Sequence, residues 1–218
     1  LQLGFAFLGV TFFNLSLFIL HAERYYWQPY NPKNLVYPYL MAAGALLSGF
    51  SFLLFSYHFP RFREEIRAEY SITVSLCAAA CAAVFAFAFY NFFVLQRLQS
   101  RYHANPFYFR SLAAVTAAQY FLAAFLLMRR AARLSRGERK PLVLRLIQPS
   151  NREARAARTF AAVLFISVAA VLVFALRLFG LLEPITMIYV VCYVLLLFSF
   201  LLVLTYLNHT KERSTVQA

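Results

Sequence analysis

Residues 70–95 read YSITVSLCAAACAAVFAFAFYNFFVL, and the reading of this stretch decides the fold. It carries no charged side chain, and as a helix it extends about 39 Å, more than the ~30 Å hydrocarbon core of a bilayer. A strand of a membrane barrel would alternate apolar and polar residues over about ten positions, and no such alternation occurs. The stretch is therefore expected to be a transmembrane helix.

Five comparable runs flank it. The first covers about 1–20 and ends at His21-Ala22-Glu23-Arg24. The second covers about 36–59 and stops at Pro60, and the stretch quoted above is the third. The remaining three span about 107–128, 159–182 and 185–207. Pro184 suits the first turn of the last, where its missing donor costs nothing. The first run lacks the basic flank and small-residue cleavage site of a signal peptide, so it reads as a mature helix. The expectation is an all-α integral membrane protein, a six-transmembrane-helix bundle forming one domain over residues 1–218.

Composition agrees. The chain is 62% hydrophobic and only 13% charged, with no aspartate, whereas a soluble domain has roughly a quarter of its residues charged. The net charge of +13 could suggest a nucleic acid, but the basic residues collect in a few connections, as the positive-inside rule requires. Neither zinc-finger spacing nor an RNA-stacking motif is present. Assigning alternate connections to opposite sides puts fifteen Lys and Arg on one side and six on the other. The richer side, with the basic loop 129–158 and both termini, is expected to be cytoplasmic.

Catalytic and cofactor signatures are lacking. The three lysines, Lys33, Lys140 and Lys211, all fall in connections, which excludes a retinal Schiff base. His21, His58, His103 and His209 fall at helix ends, where an interfacial tether is the ordinary role. There is no Gly-x-Ser-x-Gly turn and no His-Glu-x-x-His. Cys77, Cys81 and Cys192 lie in apolar runs and read as small apolar residues, not as metal ligands. The sequence is therefore read as non-catalytic, with no metal, haem, retinal or other cofactor.

The polar residues inside the runs, Asn14, Asn91 and Gln119 with several Ser and Thr, suit hydrogen bonds between helices. Gly44 and Ser48 make a small-xxx-small spacing that marks close helix packing. Aromatic residues crowd the outer side. Tyr26, Trp27, Tyr90, Phe93 and Tyr108 are expected to line an outward cleft for an apolar ligand. Arg177 near its floor would pair with Glu183 or with a ligand acid. In the basic loop, Arg129, Arg130, Arg133, Arg136, Arg139, Lys140 and Arg145 are expected to contact anionic lipid.

Two stretches, FLLFSYHFPR at 52–61 and YLNHTKERST at 206–215, resemble the N-terminal multi-helix membrane region of bacterial sensor proteins. Proteins of that kind include histidine kinases, nucleotide cyclases and serine phosphatases. The resemblance implies a sensory or anchoring module in a bacterial inner membrane, with an output domain on the same polypeptide beyond Ala218. No kinase, cyclase or phosphatase motif occurs within the 218 residues. The implied partners are membrane lipids and other membrane helices, as a homodimer or a larger complex. The alternative reading is an accessory subunit of a larger membrane assembly, with a transporter behind it.

Overall fold

The apolar runs become helices because a chain with so few charges satisfies its backbone polar groups internally. The computed structural model describes residues 4, 8–11, 15, 36–59, 64–90, 106–135, 141, 149, 151–178, 194 and 197–207. Among the described residues the long elements are α1 (Val36–His58), α2 (Arg67–Phe89), α3 (Pro106–Leu134) and α4 (Arg152–Leu178). A shorter apolar helix, α5, covers Leu197–Leu207. A single 3₁₀ turn, Glu64–Ile66, leads into α2. No strand occurs among the described residues.

Two helical stretches, Glu64–Phe89 and Arg110–Leu134, are long and apolar enough to cross a membrane. The class is therefore all-helical, with membrane-compatible helices. The ends of the elements depart from expectation at the basic segment. Helix α3 runs on to Leu134 and α4 starts at Arg152, so the expected loop at 129–158 gives up both its ends to helix. The reason is local: Arg and Ala are among the best helix formers, and RRAARL and REARAAR contain little else. Alanines from both segments, Ala131, Ala154 and Ala157, are buried, while the long Arg side chains can run outward from the same helices. Helix α2 likewise starts at Arg67, three residues before the expected Tyr70. Its expected end at Leu95 lies outside the described residues.

Helix α3 is the hub. Its alanines Ala123, Ala124 and Ala131, with Leu127, form one buried cluster with Ala157, Phe160, Ala161 and Leu164 of α4. Small side chains let the two backbones approach closely, which is how helices associate where lipid is as apolar as the interface. Phe52 of α1 and Phe198 and Leu202 of α5 complete the cluster. Rings join it in two groups. Phe52, Tyr120 and Phe198 meet with centroids 5.6–6.2 Å apart, and Phe55, Phe59 and Phe160 at 5.1–5.5 Å. The tilted and edge-on geometries suit the ring quadrupoles. Helix α2 lies to one side, touching α1 and α3 through Val84 and Ala88 near one end and Tyr70 and Cys77 near the other.

The Gly44–Ser48 spacing marks a close approach, as expected. A Cβ placed on Gly9 would lie 2.8 Å from the Gly44 carbonyl oxygen and 2.6 Å from the Ser48 amide nitrogen. The helical segment at 8–11 therefore crosses α1 backbone to backbone, and only glycine leaves the room.

Candidate functional site

The C-terminal ends of α1 and α3 and the N-terminal end of α2 lie together. The last two turns of α3 carry Arg129, Arg130 and Arg133 toward them. Nη1 of Arg129 donates to both carboxylate oxygens of Glu69 on α2, at 2.7 and 2.9 Å. Nη1 of Arg130 donates to the Tyr57 carbonyl at 2.9 Å, covering an α1 C-terminal carbonyl that has no partner within its own helix. His58 Nδ1 donates to the Leu54 carbonyl at 2.8 Å in the same turn. The Tyr57 hydroxyl reaches Glu69 Oε1 at 3.5 Å, and the Tyr57 and His58 rings both meet Tyr70 edge-on.

These groups border a half-open pocket of about 30 Å³ lined by Tyr57, Ile66, Glu69, Leu126 and the three arginines. Arg129 and Glu69 are each about one-third exposed (35% and 37%), so their attraction is screened and contributes at most ~1 kcal/mol. Positions 129 and 133 are four apart and share a face of α3. Among the described residues Arg133 holds no ion pair. Among the described residues the pocket thus sets three guanidiniums against one carboxylate, a balance that favours an anion.

A second polar group lies about 15 Å deeper along the bundle, ten residues from Arg129 at ~1.5 Å each. Gln119 is buried, and its Nε2 donates to Cys81 Sγ at 2.8 Å. Gly49 makes room for its Oε1, which finds no partner, and neither does the buried Thr116 hydroxyl. The Tyr120 hydroxyl donates to Ser48 Oγ at 2.9 Å, and Ser48 Oγ donates to the Ala45 carbonyl. Gln119 thus bonds between helices, as expected. That its partner is Cys81 escaped sequence reading, because spacing along a chain does not say which helices are neighbours. Asn14 and Asn91 lie outside the described residues. Beside Cys81, an open apolar groove of about 220 Å³ runs between Leu46, Leu47 and Phe50 of α1 and Ala78 of α2. No group of three or more His, Cys, Asp or Glu placed to hold a metal ion occurs among the described residues.

The expected aromatic cleft lies mostly outside the described residues. Tyr26, Trp27, Phe93 and Glu183, and the side chains of Tyr108 and Arg177, lie outside the described residues. Tyr90 is half-exposed at the end of α2. The rings brought together near that end are Tyr39, Phe85 and Phe89, with Tyr39 to Phe85 at 4.4 Å and Tyr39 to Phe89 at 6.3 Å. Of the expected lipid-contacting residues, Arg129, Arg130 and Arg133 converge on the pocket; Arg136, Arg139, Lys140 and Arg145 lie outside the described residues. The role of Glu69 and Tyr57 was missed in sequence, where neither was singled out as a site residue. No protein-family model matches the chain, and neither a curated protein nor a solved structure is similar to it.

Proposed function

We propose that this chain is a non-catalytic, six-span membrane domain that senses the state of the bilayer for a bacterial signalling protein. In this reading the Arg129 end and both termini face the cytoplasm, and the domain sits in the inner membrane. The observation that carries it is the placement of α2. Only 11% of its apolar window is buried within the protein, against 50% for α3, and Ile72 and Leu76 stand more than 60% exposed. A helix so placed takes most of its contacts from lipid, so the position it holds depends on what the lipid is. The outer aromatic set of Tyr26, Trp27, Tyr90, Phe93 and Tyr108, with Arg177 and Glu183, would form the entry for an apolar or lipid-like signal at the opposite end.

The test uses spin labels at Ala79→Cys on α2 and Ala118→Cys on α3, both exposed positions, with the native cysteines replaced by serine. The α2-to-α3 distance distribution should shift when the reconstituted chain is moved between bilayers of different thickness. A distribution that ignores the bilayer would overturn the sensory reading and leave an anchor.

A second reading, an accessory subunit of a larger membrane complex, is favoured by one feature. The exposed side of α2 is rich in small residues, Ala78, Ala79, Ala82, Ala83 and Ala86, which suits close approach of another helix. Crosslinking through Ala83→Cys in native membranes separates the two: a discrete adduct supports the subunit, and labelling by lipid probes alone supports the sensor.

A further inference from the structure

Resting on the sensory reading, we propose that the pocket at the Arg129 end binds the phosphate of an anionic phospholipid, and that this phosphate competes with Glu69 for Arg129. Three observations converge. Among the described residues the pocket is lined by Arg129, Arg130 and Arg133 and by one carboxylate, Glu69, so guanidiniums outnumber carboxylates in its lining. Arg133 holds no ion pair among the described residues and shares a helix face with Arg129, so two guanidiniums can fork onto one phosphate. Ile66, Leu126 and Leu134 contribute apolar lining beside the guanidiniums.

The position selects a lipid over a free anion. The apolar run of α3 ends at Met128, one residue before Arg129, which puts the guanidiniums at headgroup depth. A pocket of about 30 Å³ admits phosphate oxygens and leaves the rest of a headgroup at its mouth. The apolar lining then meets the glycerol and first methylenes, contacts that inorganic phosphate lacks.

Competition supplies the coupling. Glu69 lies on α2, whose apolar window is far less buried than that of α3, and its bond to Arg129 ties α2 to the hub at this end. A phosphate on Arg129 and Arg133 releases Glu69, and α2 loses that tie at its basic end. Arg130 stays on the Tyr57 carbonyl, so α1 keeps its cap.

The experiment is native mass spectrometry of the full chain released from vesicles containing equal phosphatidylglycerol and phosphatidylcholine. Retention should favour phosphatidylglycerol by about fivefold, the preference that one basic contact near the surface supplies. Arg133→Gln should abolish that preference, and Arg133→Lys should keep part of it. Glu69→Gln should raise phosphatidylglycerol retention, because it removes the competitor. Millimolar inorganic phosphate should leave the retained lipid in place.

Equal retention of the two lipids would overturn the proposal. Displacement by inorganic phosphate would do so by assigning the pocket to a soluble anion. A loss of retention in Glu69→Gln matching that in Arg133→Gln would remove the competition. Absent lipid preference alongside a bilayer-dependent α2 distance defeats this inference alone; a lipid preference alongside an invariant distance defeats the sensory reading alone.

Discussion

Helices α2 and α3 are both apolar and long enough to span a bilayer, yet their surroundings differ sharply. Helix α3, which carries Gln119, Thr116 and more basic residues, has half its apolar window buried within the protein. Helix α2 is the more apolar of the two and has about a ninth of its window buried. In water the order would be reversed, because apolar area drives burial. Inside a bilayer that drive would be absent between helices, and shape would decide instead. Helix α3 presents alanines that match the alanines of α4 and side chains that hydrogen-bond α1 and α2, whereas α2 turns Ile72, Leu76 and Phe89 outward.

The contrast breaks most easily at a pair of leucines. Leu127 on α3 is fully buried, and Leu76 on α2 is 66% exposed. Leu127→Ala leaves a cavity at the hub and should cost about 2–5 kcal/mol. Leu76→Ala should change stability by no more than about 0.5 kcal/mol. Denaturant titration of helicity in detergent micelles measures both, and equal costs would mean that α2 packs as tightly as α3.

Overpacking sharpens the same point at smaller scale. Ala124 lies fully buried in the cluster shared by α3 and α4, so Ala124→Leu should destabilise by about 1–3 kcal/mol. The same change at the exposed Ala79 of α2 has room and should be neutral. A thermal melt in which Ala79→Leu falls as far as Ala124→Leu would place a protein neighbour against α2.

The smallest effect belongs to the tie between the helices. Arg129→Gln removes a part-exposed ion pair and should cost at most about 1 kcal/mol, shrinking as salt is added. A larger loss, insensitive to salt, would mean that the pair is more buried than its exposure implies.

Much of the architecture was legible from residue order. The run at 70–95 announces a membrane-length helix because nothing in it tolerates exposure to water on every side. The close approach at Gly44 and Ser48 was legible too, since two small residues four apart clear a strip of helix surface. The extent of helix at RRAARL and REARAAR was less so: charge suggested a loop, while helix propensity and buried alanines carried the helices through. The candidate site was half legible. Arg129, Arg130 and Arg133 were singled out for their charge, but Glu69, sixty residues earlier, and Tyr57 were not.

By itself the sequence determined that the described chain is helical, that it holds helices long enough to meet a bilayer, and where the positive charge gathers. These follow from local properties: side-chain transfer energy, backbone satisfaction within a helix, and the count of basic residues per connection. Only the tertiary structure decided that α3 is the hub, that α2 stands apart, that Gln119 meets Cys81, and that three arginines share a pocket with Glu69. Such matters depend on which faces meet across long separations. In an apolar solvent hydropathy ranks those faces nearly alike, so small differences in shape and a few polar bonds choose among them.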